Sequence, residues 1–351
     1  MRKKILVVRF RQIGDAILSS VICKSLKETY PDSQIDYVLY EDIAPLFEKQ
    51  SYIDNVIVIN KEERKSPWKY LKKVWKVTRN KYDIVIDIMS TPKSELFTLF
   101  SLGAKYRIGR AKKGRGYTYT DKIPEPSDNF DKPEKFLQML KPLEKDGEKV
   151  IYDSDYSLKF QKEEIEKMKK RMIEAGVNLE KSVIAFAINS RRSEKIYPID
   201  DMLKIVKTCL DKYDCQGIFY YSPAEKEFAL EAHKKLNNDK RIFTNIKTDS
   251  IRDLGAMFES CDMFIGNEGG PRHLAEAVDL PSLGLFNPGG SKKQWLSRNK
   301  DKHQGIDLTD IDLTGKDISN LSHEEKYRLM TPEILLEKID EIINKYVLKR
   351  D

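Results

Sequence analysis

Two parallel α/β domains in tandem are the fold class the sequence predicts, and three observations predict it. Short unbroken apolar runs recur along the chain, each with the length and β-branched content of a strand covered on both faces. Each run leads through a turn into an amphipathic helical segment, the βαβ alternation of a doubly wound sheet. The series fades near residues 155–180 and then starts again, in a chain of 351 residues that exceeds one ordinary core.

The elements follow in order. Ile5–Val8 is the first strand, and Arg9–Asp15 is the turn after it. Ile17, Leu18, Val21, Ile22 and Leu26 then share one helix face until Pro31. Ile35–Tyr40, Val56–Ile59 and Ile84–Ile88 read as further strands with helical segments between them. The charged amphipathic helix Glu163–Ala175 opens the second series. Strand Val183–Ile188, helix Met202–Leu210, strand Gly217–Tyr221 and helices Ala224–Leu236 and Ile251–Ser260 come next. Strand Met263–Ile265 runs into a glycine turn, and Leu283–Phe286 follows. The expected boundaries are an N-terminal domain over 1–165, a C-terminal domain over 166–330 and a terminal helix over 331–351. Thr331 caps that helix and Pro332 fills its first turn. Its apolar spacing does not select a domain, and a return onto the N-terminal domain is one option.

Composition narrows the function classes. With 40% hydrophobic and 34% charged residues, the chain has no apolar run of about 18 residues and no signal-like N-terminus, which points to a cytoplasmic protein. Cys23, Cys209, Cys215 and Cys261 form no C-x-x-C pair, and the four histidines form no ligand pattern with them, so no metal is expected. The formal charge of +7 favours an anionic partner. Nucleic acid is not expected, because helix-turn-helix, zinc-finger and RNP-like patterns are all lacking.

Chemistry-bearing residues gather where strands meet helices, the ends at which open α/β sheets bind ligands. The segment Ile265–Ala277 places Gly269 and Gly270 at such a turn and Pro271 at the first helical position. Backbone amides and a positive helix end there suit a phosphate or pyrophosphate, although a tight connection without ligand has the same pattern. His273 either donates to that anion or faces solvent or a neighbouring carbonyl. After Ile188 come Asn189, Ser190, Arg191, Arg192 and Lys195, donors for a departing diphosphate or a solvated basic loop. Glu225, behind Ser222-Pro223, holds nucleoside hydroxyls or serves as a dipole partner. In the first turn, Arg9, Arg11, Gly14 and Asp15 cluster, and Asp15 is either a general base or a helix-start carboxylate. A nicotinamide site would need G-x-G-x-x-G after the first strand, and only Gly14 stands there. The basic stretch Tyr106–Arg115 is an anion site or a mobile loop. Trp68, Leu71 and Trp75 among Lys69, Lys72, Lys73 and Lys76 mark a helix that docks on the core or lies on an anionic membrane.

The motifs Arg-x-x-Gln-Ile-Gly-Asp15, Tyr82–Ile88, Arg107-Ile-Gly109, Lys195-x-Tyr-Pro198 and Gly266–Ala275 together resemble glycosyltransferase family 9, which contains the ADP-heptose:lipopolysaccharide heptosyltransferases. The resemblance implies a GT-B fold, two Rossmann-like domains facing across a cleft, without a cofactor or metal. By position it makes Asp15 the base of an inverting displacement, with Arg9, Arg11, Gln12 and Gly14 beside the acceptor. Ser190, Lys195, Glu225, Glu268, Gly269, Gly270 and His273 would line the donor. ADP-heptose and an anionic glycan or glycolipid, such as lipopolysaccharide core at the inner membrane, are the implied partners. Glu268 stands where the family usually has Asp, and Tyr197 where it has Trp, so the sugar pocket departs from the pattern. The alternatives are a sugar-nucleotide hydrolase or epimerase of the same fold, and a non-catalytic nucleotide-sugar binder.

Overall fold

The structure, a computed structural model, describes residues 2–296, 299, 301–315 and 317–348. The chain divides into two compact units, Met1–Lys159 and Phe160–Asp351.

The first unit carries β1 (Lys4–Val8), β2 (Gln34–Tyr40), β3 (Asn55–Ile59), β4 (Ile84–Asp87), β5 (Tyr106–Arg110) and β6 (Asp121–Ile123). They form a parallel sheet in the order β3-β2-β1-β4-β5-β6. β1 is buried along Ile5–Val8, as its unbroken apolar run requires when helices cover both faces. The helix expected after it is two, Ile13–Ser19 and Val21–Thr29, and Ser20 at the joint donates its hydroxyl to the Ile17 carbonyl.

The second unit repeats the plan with β7 (Val183–Ala187), β8 (Gln216–Phe219), β9 (Ile242–Phe243), β10 (Met263–Asn267), β11 (Ser282–Leu285) and β12 (His303–Ile306). Their order is β12-β11-β10-β7-β8-β9, again all parallel. In each sheet the strand order reverses once, between β1 and β4 and between β7 and β10, and such switch points are where doubly wound sheets open a crevice for ligands.

One expected boundary shifts, and one placement that the spacing left open is decided. The division falls at 159/160 rather than 165/166. Gln50 holds Lys159 to the first unit from both sides, donating to its carbonyl at 2.9 Å and accepting from its amide at 3.1 Å. Phe160 belongs to the second unit, where the Arg252 guanidinium lies 4.8 Å from its ring centre. The terminal helix Pro332–Ile342 packs within the second unit. Its Leu335, Ile339 and Ile342 are part of the second unit's own core with Ile205, Cys209 and Leu283. Four strands, β5, β6, β9 and β12, were not anticipated, because they are short or carry polar residues. β5 lies inside the basic stretch. Arg107 donates to the carbonyls of Leu102, Ala104 and Thr118, so its charge serves the strand edge rather than a ligand. Gly109 is required there, since a Cβ would come within 2.2 Å of the Tyr119 ring.

Candidate active site

The turn after β1 lies at the first switch point. Gln12 is held at φ 73°, a left-handed conformation unusual for a residue with a side chain, and such strain collects at functional turns. It lets helix Ile13–Ser19 start so that Asp15 falls in the first turn. Arg9, buried at the end of β1, pairs with Asp15 through Nη2 to Oδ2 at 2.6 Å, and Arg9 Nε is buried without a hydrogen-bond partner. The Asp15 side chain keeps 26% of its surface open. A fixed carboxylate reachable from solvent is what a general base needs. Arg11 and Gln12 are exposed at this turn and Gly14 is buried. A cation not singled out from sequence also faces Asp15. Lys132 starts a short helix that packs on Ile13–Ser19. Burial and then Lys135 hold its ammonium below the ordinary lysine range, partly offset by Asp15 and Glu125.

Across the same switch point, Asp87 ends β4 fully buried and accepts from Tyr119 Oη at 2.7 Å and from the amides of Ser90 and Met89 at 2.9 and 3.0 Å. Burial pushes its carboxyl up to about 6 against those hydrogen bonds. Since the folded value lies above the unfolded one, the group is neutral in both states below about pH 4, and stability falls as pH rises through 6. About two pK units correspond to about 3 kcal/mol. Asp87→Asn, which keeps an acceptor for the two amides, should therefore gain thermal stability relative to the parent as pH is raised from 4 to 7. A difference in unfolding temperature that stays constant over that range would reject the charge account.

In the second unit, β7 and β10 end side by side, Ala187 opposite Gly266. Gly266 has φ 148°, and a Cβ there would meet the Ala187 carbonyl oxygen at 2.4 Å. Asn267 joins the two turns, accepting from the Tyr197 amide at 2.8 Å and donating to the Ala187 carbonyl at 3.0 Å. This tie brings Lys195 Nζ to 3.2 Å from Glu268 Oε1, although 73 positions separate them in the chain. Glu268 also accepts from the Asn287 side chain through Nδ2, on the Asn287–Gly290 turn after β11. That turn was not singled out from sequence, though its Asn-Pro-Gly-Gly pattern after an apolar run was the available signal.

Helix Gly270–Ala277 then begins with Gly269 as its cap, which brings no side-chain hydrogen bond to the amides of the first turn. A Cβ on Gly269 would meet nothing nearer than Pro271 Cδ at 3.7 Å, so protein packing alone does not demand glycine there. Asn189 is buried with its Nδ2 unpartnered, and Ser190 beside it is half-buried. The geometry thus gathers Asn189, Ser190, Lys195, Glu268, Gly269 and Gly270 around one switch point. Two expected residues are engaged otherwise. His273 is buried beside Trp295, with Nδ1 3.4 Å from Glu276 Oε2 and the Arg272 guanidinium against its ring. Glu225 accepts from the amide and hydroxyl of Ser222 at 2.9 and 2.6 Å, closing a capping box on the turn that precedes helix Lys226–Lys235. Arg192 pairs with Glu194 at the surface. Among the described residues no group of three or more His, Cys, Asp or Glu is arranged to hold a metal ion, and the four cysteines are buried free thiols.

Two doubly wound units of six parallel strands, each with polar groups at its switch point, are the GT-B architecture. The chain belongs to glycosyltransferase family 9 (heptosyltransferase), whose model matches residues 71–306, and is a transferase. It is similar to lipopolysaccharide heptosyltransferase 1 of Campylobacter coli, 23% identical over 328 residues, covering 92% of this chain and 93% of that one. Among solved structures, the glycosyl transferase family 9 protein of Veillonella parvula superposes with a TM-score of 0.81 at 18% identity, over 98% of this chain and 97% of that one. The E. coli ADP-heptose lps heptosyltransferase II superposes with a TM-score of 0.75 at 17% identity, over 97% and 99%. No helix among the described residues is long and apolar enough to cross a membrane.

Proposed function

We propose that the protein transfers a heptose from ADP-heptose to a hydroxyl of a lipopolysaccharide-core acceptor, with inversion at the anomeric carbon. The observation that carries this reading is the meeting of Lys195 and Glu268 beside the glycine-capped turn at the second switch point. An ammonium, helix amides and the Asn189 amide suit a diphosphate, and a carboxylate among them suits the hydroxyls of the attached sugar. Ser190, Gly269 and Gly270 complete the donor turn. His273 supports it through Arg272 and Glu276, and Glu225 shapes the nucleoside side through its capping box. Arg11, Gln12 and Gly14 form the acceptor turn around Asp15.

In this reading Asp15 removes the proton of the acceptor hydroxyl as its oxygen attacks the anomeric carbon. The bond to ADP breaks with its electron pair going to the diphosphate, whose growing charge meets Lys195 and the turn amides. Arg9 is a positioning residue that holds the carboxylate in place. Incubation with ADP-heptose and core acceptor should release ADP only when both are present and give a product of inverted anomeric configuration by NMR. Acceptor-independent release at the full rate would instead mark a hydrolase.

Lys195→Ala should weaken ADP binding by about 10- to 100-fold, the order of one charge-assisted hydrogen bond. It also leaves Glu268 without its cation, so adding Glu268→Gln should restore part of the affinity. Calorimetry showing unaltered ADP affinity in the single variant would remove Lys195 from the donor site.

A further inference from the structure

Helix Pro67–Thr78 uses only one side on the core. Tyr70, Val74, Val77 and Thr78 are buried, whereas Trp68 and Trp75 are 82% and 50% exposed. Seven residues apart, the two indoles stand two turns from each other on one stripe, with Lys72 between them and Arg79 one turn beyond Trp75 at the helix end. The Arg79 guanidinium lies 4.8 Å from the Trp75 ring centre. From Pro67 to Lys81 there are six Lys and Arg and no Asp or Glu. Lys69 and Lys73 reach back to Glu62 and Glu63 of the preceding helix Lys61–Lys65. Lys72, Lys76 and Arg79 have no carboxylate partner among the described residues. The adjacent helix Pro92–Leu99 ends in three more exposed apolar side chains, Leu99, Phe100 and Leu102.

Two open tryptophans on a stripe are costly in water and mark an interaction face. The core of a protein interface is depleted in lysine, yet here lysines alternate with the indoles. That mixture fits the boundary of a bilayer, where indoles sit at the headgroup level and lysine stems lie along apolar surface with their ammonium groups among acidic headgroups. We infer that this face of the first domain docks on an anionic lipid bilayer, with Trp68 and Trp75 at the headgroup–acyl boundary and Lys72, Lys76 and Arg79 against the acidic headgroups.

Full-length protein mixed with phosphatidylcholine vesicles, with and without phosphatidylglycerol, tests this by sedimentation and tryptophan emission. The expected result is salt-sensitive sedimentation and a blue shift with the phosphatidylglycerol vesicles alone. Lys72→Glu with Lys76→Glu should lower the vesicle partition coefficient by at least roughly tenfold, since each surface cation contributes about 1 kcal/mol, and Trp68→Ser with Trp75→Ser should separately lower it by at least as much through the lost burial of two indoles. All four side chains are on the outer side of the helix, so circular dichroism and ADP affinity should stay those of the parent. Equal sedimentation with neutral vesicles would overturn the inference, as would variants that bind like the parent. So would a lipid-free dimer that the tryptophan substitutions dissolve while vesicle binding persists.

Discussion

Asp15→Asn should lower turnover by about 10²- to 10⁴-fold, the usual contribution of a positioned general base, while ADP affinity stays close to that of the parent. The substitution preserves shape and leaves an oxygen for Arg9 Nη2, which now pairs with Asp15 at 2.6 Å, so the carboxylate is lost without emptying its place. Because Arg9 is buried, removing its counter-charge also costs stability, and the kinetic comparison belongs at a temperature where both proteins are folded. The two contributions separate by experiment. A folding defect lowers the concentration of active enzyme and leaves the KM of both substrates unchanged. Loss of the base lowers kcat in fully folded protein and flattens the acidic limb of the pH–rate profile. Arg9→Lys keeps a cation and loses the guanidinium geometry, so it should reduce kcat less than Asp15→Asn does. Parent-like kcat in folded Asp15→Asn would remove Asp15 from the mechanism and leave its pairing with Arg9 as a structural feature of the helix start.

Much of the fold was legible in the sequence because parallel strands covered on both faces write themselves as apolar runs, as Ile5–Val8, Val183–Ile188 and Leu283–Phe286 do. The strands that escaped reading lie toward the sheet edges. Tyr106–Arg110 breaks its apolar residues with Arg107, Gly109 and Arg110, and only its contacts show that Arg107 is tied to three carbonyls. The residues of the candidate site were likewise visible in the sequence only where they stand out locally. Turn glycines and the Lys195 and Glu268 side chains stand out locally, whereas Asn267, which joins their turns, reads as an ordinary strand end until β7 and β10 are adjacent. His273 shows the reverse difficulty. Its place in the first turn of a helix suggests a ligand contact, and only the packing of Arg272, Glu276 and Trp295 around it shows that the ring is held from within. Lys132 carried no local signal, because the fold rather than the chain brings it to Asp15.

Arg272→Met should cost the second domain about 3–5 kcal/mol at neutral pH, the usual result of leaving one member of a buried ion pair behind. Arg272 is among the largest fully buried side chains, and its guanidinium donates to Glu276 and, at 2.7 Å, to the Trp295 carbonyl while stacking over Phe286. Gly284 makes room for it, since a Cβ there would meet Arg272 Cδ at 2.5 Å. Burial alone pushes the Glu276 carboxyl up, but Arg272 and then His273 bring it down to about 2. With the folded value below the unfolded one, the stabilisation is complete above the ordinary carboxylate range and is lost as pH falls toward 2. In Arg272→Met that dependence should reverse. Glu276 then titrates higher in the folded state, so the variant's deficit shrinks on going from pH 7 to pH 5. Adding Glu276→Gln should recover much of the loss at pH 7, because a buried pair replaced as a unit leaves no stranded charge. Hydrogen exchange across helix Gly270–Ala277 reads the effect locally. Because this helix starts at the turn we propose for the donor, faster exchange there should come with weaker ADP binding, and unchanged exchange in Arg272→Met would show that the pair does not hold the turn.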